Sequence, residues 1–181
     1  QMCIRDRDTT VVTNKLKTVT TQSAPSFVAN KVGTVLLKSV GDSQVYSVTV
    51  NGTAYTYTSD STATAEEILT GLKSAIDGGS ISGLTVTKLD TSLELSRTSA
   101  FTLTGKGGAG NDQLVTFQNQ VANVAALPDK SVHHRVVKII NTANSAEDTY
   151  YSRFIADDGT SGSGYWEEYI APDAVSYTHL R

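Results

Sequence analysis

Five groups of residues in this 181-residue chain have types and spacings from which chemistry can be built. Gly105-Lys106-Gly107-Gly108-Ala109-Gly110 spells G-x-G-x-x-G after a strand-like run. That pattern cradles a dinucleotide pyrophosphate only when a helix N-terminus follows it. Here Asn111-Asp112-Gln113-Leu114-Val115-Thr116-Phe117 follows, and it reads as a strand. Lys106 precedes Gly107, so the Lys-Ser/Thr pair of a phosphate loop is missing. The glycine run at 105–110 therefore reads as a hairpin loop.

His133-His134 is a candidate metal pair, but neighbours on a strand point to opposite faces and chelate one ion poorly. The nearest carboxylate is Asp129, and the pair reads as structural. Asp157-Asp158-Gly159 beside Ser161 and Ser163 has calcium-loop residue types without the helices or closing Glu that such a loop needs, so it reads as a turn. Glu167-Glu168 is a candidate pair of catalytic carboxylates, which strand geometry again sends to opposite faces. Trp166 with Tyr150, Tyr151 and Tyr165 has the ring area to stack sugars or bases, and aromatic residues on strands also form cross-strand packing pairs. No motif assembles a nucleophile, a base and an oxyanion site. The sequence assigns no catalytic residue, no cofactor and no metal site.

The elements that would position these groups are mostly strands. Thr, Ser, Val, Gly and Asn are abundant, a composition that favours strands and turns. DTTVVTNKLKTVT (8–20), GTVLLKSV (33–40), YSVTV (46–50) and AYTYT (54–58) alternate or carry β-branched residues. Asn51-Gly52 between the last two marks a tight hairpin, since both turn positions need positive φ. Ala65, Ile68, Leu69, Leu72 and Ile76 recur at helical spacing, which predicts one helix over about 62–77. Ser61 or Thr62 is its expected cap, with Glu66 and Glu67 near the positive dipole end and Gly78-Gly79 as its stop. LTVTKL (84–89), LELSR (93–97), FTLTG (101–105), DQLVTF (112–117), RVVKII (135–140), DTYYSRFIA (148–156) and YWEEYI (165–170) read as further strands. Residues 118–130 read as irregular, with turns at Asn141–Ala146 and Asp157–Gly164. The expected class is mainly β or α+β, with antiparallel sheets and one inserted α+β module holding the single helix.

Both termini have an unusual origin. QMCIRDR (1–7) and VSYTHLR (175–181) match the two strands of a transposon-end sequencing adapter in translation. They are set aside as processing scars, which leaves an internal fragment, residues 8–174. The only Cys and the only Met, Cys3 and Met2, go with them. Without Arg5, Arg7, Arg181 and Asp6, Lys+Arg falls from 15 to 12 and Asp+Glu from 18 to 17, so the net charge moves from −3 to −5. An acidic chain is a poor general binder of nucleic-acid phosphate, which wants clustered Lys and Arg. No apolar run approaches the ~20 residues of a membrane span.

A string of motifs in the C-terminal third carries a family likeness: Leu127-Pro128; Arg135-Val136-Val137-Lys138-Ile139; Asp148-Thr149-Tyr150-Tyr151-Ser152-Arg153-Phe154; Gly164-Tyr165-Trp166-Glu167-Glu168; and Ala171-Pro172. The order resembles that of tail tubular protein B, the tail nozzle family of short-tailed bacteriophages. Asp8 through Lys15 is similar to that family's early strand, and the Asn51-Gly52 hairpin followed by a Thr-rich capped helix keeps its usual order. Ser152 departs from the pattern, which prefers an apolar residue there, and Val11-Val12 replaces a bulkier pair.

The resemblance implies a virion structural protein, assembled in the host cytoplasm into a homohexameric ring at the tail tip. It implies an adaptor ring above, contacts with tail fibres, and a lumen through which DNA leaves the virion without sequence-specific binding. It marks Leu127, Pro128, Asp148, Tyr150, Tyr151, Phe154, Trp166 and Glu168 as structural residues. The expected organisation is a discontinuous β domain (8–32 and 118–174) interrupted by the α+β module (33–117), which forms one small sheet under the helix. The alternative is a carbohydrate-binding or depolymerising tail protein, which needs a groove with two carboxylates beside Trp166.

Overall fold

Alternating apolar residues put almost every described segment into strands, and the one 3.6-residue period gives the one helix. The structure, a computed structural model, describes residues 30–108, 113–140 and 149–169. All of them fall within the unit Phe27–Ala171. The strand read at 8–20, the turn at Asn141–Ala146 and Asp148 lie outside the described residues.

Among the described residues, twelve strands form three sheets. The first is β4(Leu84–Lys88)-β5(Ser92–Arg97)-β1(Val32–Leu37)-β7(Leu114–Phe117). The second is β3(Thr53–Thr58)-β2(Val45–Val50)-β6(Leu103–Gly107). The third is β8(Gln120–Val121)-β10(Val136–Ile139)-β11(Tyr150–Ala156)-β12(Ser161–Tyr169)-β9(Lys130–Val132). All pairings among them are antiparallel except β8 with β10, which is parallel. The described residues are mainly β with a single α-helix, α1(Ala65–Gly78). The segment 33–117 holds two sheets with α1, where one was expected.

The β2–β3 hairpin turns on Asn51 (φ 50°) and Gly52 (φ 83°), the two positive-φ positions that an Asn-Gly turn supplies. Val50 pairs with Thr53, and the register runs unbroken to Val45 and Thr58. The helix begins three residues later than its first predicted position. Asp60 Oδ1 accepts the Thr62 N–H at 2.7 Å, which holds 60–63 in a turn. Thr64 is the cap, in place of Ser61 or Thr62: its Oγ1 accepts the Glu67 N–H at 3.2 Å, and Glu67 reaches back to the Thr64 N–H at 3.3 Å. This capping box satisfies two orphan amides and is worth about 1 kcal/mol.

Ile68, Leu69, Leu72 and Ile76 form the buried stripe of α1. They enter a first core with Val35, Leu37, Tyr46, Val48, Val50, Leu93, Leu95 and Leu114. Each fully buried aliphatic contributes roughly 1.5–3 kcal/mol. A glycine inside the helix lets this packing close. A Cβ at Gly71 would overlap the ring of Tyr57, so the glycine admits the β3 tyrosine flat against the helix backbone.

A second core gathers Phe117, Val121, Leu127, Val137 and Ile139, with Ala126 and Trp166 packed on it. All residues of the first core lie between Val35 and Leu114, and all of the second between Phe117 and Trp166. β1 and β5 turn one face to the first core and the other to polar residues of the third sheet. The consecutive buried residues 33–37 and 92–95 show that both faces are covered over these stretches.

Three readings of local structure change. Gly105–Gly107, read as part of a loop, are strand, with Gly107 paired to Tyr46. Leu114 and Thr116 lie so close that a Cβ at Gly105 or Gly107 would collide with them, so these glycines serve close strand approach. Residues 118–130 contain β8, a single 3-10 turn (Val124–Ala126) and the start of β9, too short to leave a periodic signal. The Asp157–Gly164 turn is shorter than read, since β12 already begins at Ser161.

Candidate functional site

The centre of the molecule is a buried polar junction between the first and third sheets. Alternation along β5 sends Leu93 and Leu95 into the first core, and Ser92 and Glu94 to the opposite face. Thr34 sits opposite Glu94 in the β1–β5 register and donates its hydroxyl to Oε1 at 3.0 Å and Oε2 at 3.1 Å. From the third sheet, Ser131 on β9 donates to Oε1 at 3.0 Å. Arg135, at the entry to β10, brings Nε to 3.7 Å from Oε2. The Arg135 side chain is 5% exposed and that of Glu94 3%.

Arg135 also donates through Nη1 to the Val136 carbonyl at 3.1 Å and through Nη2 to the Gln118 carbonyl. Its Nε has no hydrogen-bond partner among the described residues. Burial pushes the Glu94 carboxyl above the ordinary carboxylate range, against the pull of Arg135 and the two hydroxyl donors. Burial likewise lowers the Arg135 guanidinium, against the pull of Glu94. The junction joins β1 and β5 of the first sheet to β9 and the entry of β10 in the third, and of its four residues only Arg135 stands in a motif picked out from the sequence. In the sequence Glu94 belongs to LELSR, which reads only as an alternating strand. The available signal was the unbroken apolar run of β1, which marks burial on both faces.

The residues marked by the family motif surround the second core. Phe154, with no exposure, lies opposite Trp166 in the β11–β12 register. Their ring centroids are 5.1 Å apart in an edge-to-face arrangement. Trp166 Nε1 donates to the Pro128 carbonyl at 2.8 Å, and Leu127 and Pro128 are buried beside it. The indole therefore fastens the segment before β9 to β12. Tyr150 is exposed at the start of β11, Tyr151 is half-buried on the face opposite Phe154, and Glu168 is exposed across from Ser152. Ser152 occupies its buried position by donating Oγ to the Glu167 carbonyl at 3.0 Å. Glu167 accepts from Arg153 Nε at 3.0 Å across the same pair of strands.

The remaining candidates resolve as follows. His133 and His134 lie in the turn between β9 and β10, not on a strand, and their rings stack with centroids 3.8 Å apart. The left-handed backbone of His134 (φ 63°) makes that approach possible. His133 Nδ1 accepts the Ala156 N–H at 3.1 Å. Asp158 caps a tight turn: its carboxylate accepts the Thr160 N–H and hydroxyl at 2.7 Å each and the Ser161 N–H at 3.0 Å. These bonds hold its carboxyl below the ordinary range. Among the described residues no group of three or more His, Cys, Asp or Glu side chains is placed to hold a metal ion.

A groove of about 770 Å³ runs between β3 and α1, lined by Thr56, Tyr57, Glu66, Glu67, Thr70 and Ser74 among others. Two adjacent carboxylates tie the helix start to both flanking strands. Glu67 accepts the Tyr57 hydroxyl at 2.7 Å, and Glu66 pairs with Lys88 of β4. Lys88 holds the Glu66 carboxyl below its ordinary range, and the bond to Glu67 raises the Tyr57 phenol. The two carboxylates of this groove lie on α1, not beside Trp166.

Antiparallel sheets, a buried polar junction and the Phe154–Trp166 pair define a mainly β protein with a single α-helix among the described residues. No helix among the described residues is long and apolar enough to cross a membrane. The chain belongs to the bacteriophage nozzle protein family, whose model matches residues 3–179. It is thus a structural component of a phage tail, from a family whose tail role implies oligomeric assembly. A search of curated proteins finds no match.

Proposed function

We propose that this chain forms part of the wall of the nozzle ring through which DNA leaves a short-tailed phage, with no reaction of its own. Family membership over residues 3–179 is the observation that carries this reading. On it, residues 8–32 and 118–174 belong to the body of the subunit and 33–117 to an inserted module, between terminal heptapeptides of adapter origin. Identical subunits close a ring, a hexamer by resemblance, below an adaptor ring and beside the tail fibres, after synthesis in the host cytoplasm.

The charge supports a conduit that DNA passes without sticking. At a net −5 over residues 8–174, the chain repels phosphate more than it binds it. Leu127, Pro128, Phe154 and Trp166 serve this role by packing, as do the strand positions Asp148, Tyr150, Tyr151 and Glu168. The test is electron microscopy of the complete gene product, alone and in tails. A closed ring with a carboxylate-rich lumen is expected. A lumen dominated by Lys and Arg, or a monomer that turns over a polysaccharide, would overturn the reading.

A further inference from the structure

We propose that the outer edge of β3 is a docking site for an extended, lysine- or arginine-bearing segment of a partner protein, which adds to the second sheet as a fourth strand. β3 is the terminal strand in the order β3-β2-β6. The two-residue turn at Asn51–Gly52 makes Val50 and Thr53 a hydrogen-bonded pair. Every second residue from Ala54 onward then turns its N–H and C=O away from β2. These residues are Ala54, Thr56 and Thr58, all exposed. Among the described residues, none of their amides has a backbone partner in another element.

Protective devices are missing from this edge. Thr53–Thr58 contains no Lys, no Pro and no charged residue, and its pairing with β2 is unbroken by a bulge. The other exposed edges are shorter or guarded. β8 has two residues, β9 three and β7 four, β6 has five with Lys106 among them, and β4 ends in Lys88 bonded to α1. Beside β3 lies the groove, whose helix wall is made of the small residues Thr70, Gly71, Ser74 and Ala75. A strand needs about 4.8 Å of lateral spacing from its neighbour, and the residues of this wall are small. Glu66, paired with Lys88, and Glu67 line the groove, and exposed Asp60 stands just past the end of β3, so carboxylates outnumber the one cation there. That charge selects a basic segment, with side chains on alternate positions entering the groove.

The experiment uses the whole 181-residue chain and a synthetic peptide of about nine residues alternating Lys and Val, the length of a long strand. Amide exchange at Thr56 and Thr58 is expected to slow at least about tenfold on peptide addition, which follows from new backbone hydrogen bonds. Glu66→Lys should weaken binding about tenfold. Thr56→Pro should abolish it, since an outward-facing amide on an edge strand is a position where proline leaves the existing ladder intact. Thr56→Lys, which keeps the amide and adds an edge guard, should also lose the peptide while its melting curve stays unchanged. Unchanged exchange at these amides would overturn the proposal, as would equal binding of a peptide with Glu in place of Lys. So would a dimer of the chain alone that Thr56→Pro dissolves, because it assigns the edge to a second copy.

Discussion

Arg135 holds its Nε 3.7 Å from Oε2 of Glu94 with both side chains nearly dry; Glu94 lies on β5 of the first sheet and Arg135 at the entry to β10 of the third. The attraction between them is outweighed at Glu94 by the cost of burying the carboxylate, so its proton is held more tightly than in the unfolded chain. The folded state therefore binds more protons at this site between the ordinary carboxylate range and the raised value. Stability from this group is present below that window and is lost as pH rises through it.

Replacing Glu94 tests this directly. Glu94→Ala should cost about 3–5 kcal/mol, since it strands the Arg135 charge and the Thr34 and Ser131 hydroxyls. Glu94→Gln keeps acceptors for the hydroxyls and resembles the protonated acid. Its loss should be smaller and should shrink, relative to the parent, as pH rises. Urea melts of the three proteins across mildly acidic to mildly basic pH measure both effects. A Glu94→Gln penalty that grows with pH would show that the carboxylate is favoured in its charged form.

Trp166→Phe keeps the contact with Phe154 and loses the donor to the buried Pro128 carbonyl. It should cost about 1–3 kcal/mol, the price of leaving that acceptor unmade. Phe154→Ala empties a fully buried position and should cost about 3–5 kcal/mol. The two changes touch one contact, so their effects should not add in a double-mutant cycle followed by denaturant unfolding.

Gly71→Ala sets helix propensity against packing. On propensity alone, alanine gains about 1 kcal/mol inside a helix. The Cβ meets the Tyr57 ring, so the change should instead destabilise by roughly 1–3 kcal/mol. Combining it with Tyr57→Ala should restore the propensity gain. A stabilised Gly71→Ala single variant in thermal melts would refute the close approach.

Asp158 gives the opposite pH signature to Glu94. Its carboxyl is depressed by bonds to Thr160 and Ser161, so its contribution is present above the ordinary carboxylate range and disappears as pH falls through the lowered value. The stability difference between the parent and Asp158→Ala should accordingly close under acid conditions. A difference that persists in strong acid would separate the turn from its charge.

How much of this was legible depended on whether the signal was local. Asn51-Gly52 announced its hairpin because the requirement for positive φ is carried by two adjacent residues. The stripe from Ile68 to Ile76 announced α1 because its period needs no partner. The helix start was misplaced because Asp60 takes the Thr62 amide, and only the fold shows which of several Ser and Thr residues is left to cap. Glycines at 105 and 107 resembled a loop because close approach by Leu114 and Thr116 leaves no trace nearby. Thr34, Glu94, Ser131 and Arg135 were invisible as a group, since nothing in LELSR or RVVKII tells that two distant runs meet. Phe154 and Trp166 were easier, because neighbouring strands joined by a short turn place their residues in predictable register.

The burial of β1 and β5 on both faces has an evolutionary consequence. A volume change at Val35 or Leu93 presses on the first core, while Thr34 and Glu94 on the same strands answer to Ser131 and Arg135 from the third sheet. Drift at positions 34, 94, 131 and 135 is therefore yoked: descendants of this chain should exchange these four as a set or keep all of them, even where the surrounding surface diverges freely.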